Sequence, residues 1–125
     1  IAQEAALKFK ETCGLHAEAL SAAELRHGPM ALVRAGFPAL VLAQDDESRA
    51  GVAQLAGEMA AQGADVLIAG ASAPRATVLP TIAAHPVIEP LLLVQSFYRM
   101  ANALSLARGR DPDRPPNLCK VTETL

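Results

Sequence analysis

Glu4, Lys8 and Glu11 are spaced by four and three residues, and His27 follows in the turn Arg26-His27-Gly28-Pro29. On a helix that spacing puts the two carboxylates and the ammonium on one face. A base, a cation and an imidazole in one short segment are the parts of proton-transfer chemistry. Glu11 could act as the base if it is shielded from water. An imidazole is a ready donor and acceptor of protons, which His27 would supply. Both have plainer explanations. Glu11 can be a surface carboxylate paired with Lys8, and Glu4–Lys8 an ordinary helix pair, each worth only about 0.2–0.5 kcal/mol. An imidazole in a last helical turn faces the negative end of the dipole and bonds free carbonyls. Spacing alone favours these plainer readings.

The elements that must hold these residues can be read from periodicity. Ala5, Leu7, Phe9, Cys13, Leu15, Ala19, Leu20 and Ala23 predict helix over 1–25, in two pieces divided at Gly14, with one more turn over 30–33. Residues 37–43 form a continuous apolar run, the pattern of a strand buried on both faces. Asp45, Asp46 or Ser48 would cap a helix over 47–62, which Gly63 stops. Residues 65–69 predict a second buried strand, 70–80 a loop of small residues, and 81–84 a short third strand. Glu89-Pro90 opens a long apolar helix to about residue 108, with Pro90 suited to the first turn. The tail from Gly109 has three prolines and no period, so it is expected to run extended over a surface. Strands alternating with helices predict an α/β fold with a parallel sheet. The opening helix has no strand before it, and the chain begins with Ile inside a helical pattern. We therefore expect a strand, and a longer parent protein, upstream of Ile1.

The 125 residues suffice for one domain, and 51% hydrophobic with 19% charged residues describes a folded chain. A net charge of −2 without a basic patch gives no electrostatic case for nucleic acid or an anionic membrane. No apolar run approaches the ~20 residues that span a bilayer. Cys13 and Cys119 lack zinc-site or disulfide-scaffold spacing and read as thiols in a reducing cytoplasm. Asp45, Asp46 and Glu47 are explained by a helix start, with no His or Cys nearby, so no metal is expected. His16 reads as a structural, partly buried residue and His85 as a loop residue.

The runs ALKFKE, HAEA and ELRHGP resemble the second sugar isomerase (SIS) domain of the glucosamine-6-phosphate synthase family. There the corresponding runs read E-G-A-L-K-L-K-E, H-A-E-A and E-L-K-H-G-P at the same spacing. The ending NLCKVTETL is similar to the family's N-L-A-K-S-V-T, and more so to tandem SIS proteins that include amino-sugar-phosphate deaminases. The resemblance covers nearly the whole chain. It implies a flavodoxin-like three-layer αβα fold, with 1–108 as a second SIS domain lacking its first strand and 109–125 completing the active site. It implies that Glu11 is the base that shifts a proton between C1 and C2 of an open-chain hexose 6-phosphate. His27 would open the sugar ring, in the family often in a neighbouring subunit's site. Lys120 would contact the substrate carbonyl, and Glu4 and Lys8 would belong to the same active-site helix. Ala5 stands where the synthases have Gly, and Arg26 where they have Lys.

The phosphate loop of the family lies in the preceding SIS repeat, so these 125 residues alone are expected to be inactive. The implied protein is a cytoplasmic, dimeric phosphosugar isomerase or deaminase for a hexosamine 6-phosphate that needs no cofactor. A non-catalytic sugar-phosphate sensor and a purely structural half remain alternatives at this point.

Overall fold

The structure is a computed structural model and describes residues 1–118. Lys120, expected at the substrate carbonyl, and Cys119 lie outside the described residues. The elements run α1 (Ala2–Glu11), α2 (Ala22–Arg26), a 3₁₀ turn (Pro29–Leu32), β1 (Pro38–Leu42), α3 (Arg49–Ala61), β2 (Asp65–Ala69), β3 (Thr77–Leu79) and α4 (Glu89–Ala107). The strands form a parallel sheet in the order β1-β2-β3, with Pro38 opposite Asp65 and Leu67 opposite Thr77.

Alternation along β1 divides the molecule into layers. Leu40 and Leu42 point to one face, where they meet Ala5, Phe9 and Cys13 from the α1 segment and Phe97 and Ala101 of α4. Ala39 and Val41 point to the other, against Ala56, Met59 and Ala60 of α3, and Val66 and Ile68 of β2 join them. Leu25 of α2 and Met30 of the 3₁₀ turn also pack on this second side. The long helix owes its place to a buried stripe, Leu93, Phe97, Ala101 and Ser105, one residue every four. Phe9 meets Phe97 edge-to-face, with ring centroids 5.1 Å apart, a favoured aromatic geometry. Glu89, buried in the first turn of α4, accepts the Asp45 N–H at 2.6 Å and so ties the exit of β1 to that helix.

Several expectations change. The third strand is Thr77–Leu79, inside the segment expected as a loop, and 81–84 is not a strand. Val78 and Leu79 pair with Ile68 and Ala69, and Pro80, lacking an N–H, ends the ladder. β1 is half-buried rather than enclosed, because its outer edge meets no strand among the described residues. Helix α1 stops at Glu11, three residues before Gly14, and 12–20 is irregular. Helix α3 starts at Arg49 without a side-chain cap. Asp46 instead closes a local turn, accepting the Ser48 N–H at 2.8 Å and its hydroxyl at 2.6 Å. Residues 109–118 are not extended but run through successive turns, with Asp111 Oδ1 accepting the Asp113 N–H at 3.0 Å.

Gly70 marks the tightest approach in the sheet. Its φ is +81°, and a Cβ there would fall on the Ala43 carbonyl where β1 and β2 end. Gly51, in α3, has open space around it. Gly70→Ala should therefore lower unfolding stability by about 1–3 kcal/mol or more, while Gly51→Ala should raise it by up to about 1 kcal/mol. Thermal or denaturant unfolding of the pair checks this, and equal stabilities would contradict the strand-end geometry.

Candidate active site

Helix α1 presents two adjoining stripes. Ala5 and Ala6 are buried, and Ala5 with Phe9 packs into the core shared with α4. Beside them, Glu4, Lys8 and Glu11 share a half-exposed face, with side chains 36%, 33% and 25% accessible. The Lys8 ammonium stands between the carboxylates, 2.7 Å from Glu11 Oε2 and 3.8 Å from Glu4 Oε1. Its bond to Glu11 raises the Lys8 pKa, Glu11, Glu4 and Tyr98 adding by charge and partial burial opposing. Across the α1–α4 seam, the Tyr98 hydroxyl donates to Glu4 Oε1 at 2.8 Å. That bond, with the Glu4 charge and slight burial, raises the Tyr98 pKa, against a smaller opposing effect of Lys8. The helical spacing thus brings the three predicted groups together, and α4 adds a phenol that no local pattern in the sequence announced.

His27 stands elsewhere. It caps the C-terminus of α2, exposed to solvent, with Nδ1 2.7 Å from the Ala23 carbonyl. A carbonyl only accepts, so Nδ1 carries the hydrogen, and the neutral ring keeps its lone pair on Nε2, away from that bond. The helix below is short and needs its fastenings. Ser21 and Glu24 form a reciprocal capping box, with bonds of 2.7 and 3.2 Å. Arg26 pairs with Glu58 of α3 at 2.7 Å. That bond, and then one from Gln54, lowers the Glu58 pKa. Because α2 packs with α3 and α1 with α4, the sheet lies between the His27 and Glu11 layers.

Two shallow grooves lie nearby. One runs between the Gln3–Ala6–Lys10 face of α1 and residues 16–19. The other sits at the carboxyl ends of β1 and β2, between Asp46, Glu47 and Ser72. Neither contains Glu11 or His27. His16, expected partly buried, is exposed on the first groove. Cys13 is fully buried. Among the described residues no three His, Cys, Asp or Glu side chains converge as a metal site would require, and no helix is long and apolar enough to cross a membrane.

The sequence profile of the SIS domain matches residues 1–75, which include α1, the turn with His27, β1, α3 and β2. The chain belongs to the SIS domain family. It is 39% identical, over 97% of its length, to the glutamine–fructose-6-phosphate aminotransferase (isomerizing) of Aeropyrum pernix. The Leifsonia xyli protein of the same name is 42% identical over 96% of this chain. In both cases the chain spans 21% of the relative. Among solved structures, a protein assigned as a phosphosugar isomerase from Silicibacter pomeroyi superposes with a TM-score of 0.82 and 47% identity, over 90% of this chain and 35% of that one. The C-terminal domain of the glucosamine-fructose-6-phosphate aminotransferase from Francisella tularensis gives 0.80 and 28%, over 90% of this chain and 34% of that one. The SIS neighbours share the layered parallel sheet described above.

Tyr98 is the sole tyrosine and tryptophan is absent, so near-ultraviolet absorbance reads its ionisation directly. Its pKa should lie above the ordinary phenol value of about 10, and Glu4→Gln should bring it back down. The shift is upward, so the Tyr98–Glu4 bond stabilises the fold below the ordinary value and is lost as pH rises through the raised one. An unshifted titration in the unaltered protein would break the α1–α4 geometry.

Proposed function

We propose that this chain is the second SIS half of a phosphosugar isomerase or deaminase acting on a hexosamine 6-phosphate. The observation that carries the reading is the Glu4–Lys8–Glu11 cluster along one face of α1, in a SIS domain, partly shielded and tied to α4 through Tyr98. Glu11 takes the C2 proton of the open-chain aldose and returns a proton to C1, so that the electrons pass through an enediol-type intermediate. The ketose-type imine formed from an amino sugar then adds water and releases ammonia in the deaminase case. Lys8 donates to Glu11 Oε2 at 2.7 Å and so orients the carboxylate. The chemistry needs only acid–base groups, so we assign no cofactor.

His27 has the tautomer for ring opening, with Nε2 free to exchange a proton with a ring or anomeric oxygen. Its place across the sheet from Glu11 supports service in the site of a second subunit, and hence a homodimer. Lys120 is proposed for the substrate carbonyl, and the phosphate for backbone amides of a preceding SIS half. The open edge of β1 and, separately, exposed Ile82, Val87 and Leu91 at 67%, 78% and 70% support further chain or subunits packing on these surfaces. A buried free thiol at Cys13 is compatible with the cytoplasm.

The Lys8–Glu11 pair would serve equally in a SIS domain that binds a sugar phosphate without turning it over. Glu11→Gln in the full-length protein separates the two. With glucosamine 6-phosphate, solvent-deuterium wash-in at C1 and C2 and ammonia release should fall by about 10²–10⁴-fold, with substrate binding retained. Turnover close to that of the unaltered protein would remove Glu11 as the base. The 125 residues alone should be inactive.

A further inference from the structure

Glu11 is the last residue of α1, where helices fray and leave carbonyls without partners. Here the Leu15 N–H donates to the Phe9 carbonyl at 3.0 Å, and α4 supplies partners for the two carbonyls just after Glu11. The Ser105 hydroxyl, fully buried, donates to the Thr12 carbonyl at 2.8 Å, and Arg108 Nε donates to the Cys13 carbonyl at 2.8 Å. The Cys13 thiol in turn reaches the Ala101 carbonyl at 3.4 Å. Gly14 then turns with φ +60°, and the Arg110 guanidinium occupies the place a Cβ would take. The chain after α4 is held at the same point, since the N–H groups of Arg108 and Arg110 both bond the Ser105 carbonyl.

Around Glu11 the seam between α1 and α4 is otherwise lined by Ala5, Phe9, Phe97 and Ala101, and the exposed Tyr98–Glu4 bond crosses it nearer the start of α1. Apolar packing is non-directional and fixes axial position loosely, whereas two charge- or hydroxyl-donated bonds to named carbonyls fix it in length and angle. We propose that Ser105 and Arg108 are positioning residues for Glu11. By capping α1 from the far end of the chain, they set where the Glu11 carboxylate stands along α4. The inference rests on Glu11 being the base. A misplacement of about 1 Å can lower a rate by ~10²-fold, so the two bonds bear directly on turnover.

The test uses the full-length protein with glucosamine 6-phosphate. Arg108→Ala should lower kcat by about 10- to 100-fold with KM unchanged, and amide exchange over residues 10–15 should quicken. Arg108→Lys should recover part of the rate, because an ammonium can reach the same carbonyl. In a Glu11→Gln background Arg108→Ala should add no further loss, since there is no base left to place. Ser105→Ala should behave as Arg108→Ala does. A full rate for Arg108→Ala beside an inactive Glu11→Gln would overturn the positioning role alone, as would losses that add in full. If Glu11→Gln itself keeps full turnover, the proposed function fails and the positioning role with it.

Discussion

The burial of one α1 stripe against α4 is the constraint from which the rest follows. Ala5 and Phe9 enter a core closed by Phe97, Ala101 and the β1 side chains Leu40 and Leu42. Once that stripe is inward, helical geometry leaves Glu4, Lys8 and Glu11 no choice but the flank beside the seam. They are neither immersed, which would demand several kcal/mol of desolvation per ion, nor free in solvent. Small residues make this possible. Ala5 and Ala101 let the helix axes approach closely, and the one edge-to-face aromatic pair fills the space that remains. A large side chain at either alanine would push α1 outward and carry the charged face with it.

The electrostatics then follow from order along the helix. One ammonium between two carboxylates leaves the three groups with a formal charge of −1. The nearer contact, 2.7 Å to Glu11 against 3.8 Å to Glu4, decides which carboxylate is neutralised more. Tyr98 compensates the other by donating to Glu4. The cluster therefore divides its donors, Lys8 to Glu11 and the phenol to Glu4. Each carboxylate is still a quarter or more exposed, so solvent screens these interactions and they orient side chains more than they stabilise the fold.

Much of this was legible in the sequence, for reasons that differ by element. The shared face of Glu4, Lys8 and Glu11 follows from local periodicity, and so does the strand Asp65–Ala69, bounded by Gly63 and Gly70. Helix α4 showed itself through Pro90 and its apolar stripe. The runs around Lys8 and His27 carried the family resemblance. The third strand was not legible, because Thr77-Val78-Leu79 is only three residues long and owes its state to pairing with β2. The Tyr98–Glu4 bond and the capping of α1 by Ser105 and Arg108 join residues more than ninety positions apart. No local pattern encodes such pairs. The capping box of Ser21 and Glu24 was written plainly as S-x-x-E, a signal that could have placed the start of α2.

Glu11 and His27 stand in different layers, and the five-residue helix that ends at His27 is fastened to its own layer. Had the imidazole belonged beside Glu11, α2 would need to pack on the α4 side. Instead Leu25 is partly buried against the α3 side, and Arg26 is fixed to Glu58. An isolated helix of this length is unstable in water, so its order comes from these contacts and from the capping box. They hold the turn Arg26-His27-Gly28-Pro29 outward, with the His27 ring tautomer set by the Ala23 carbonyl. The Arg26–Glu58 pair at 2.7 Å thus fastens α2 to α3.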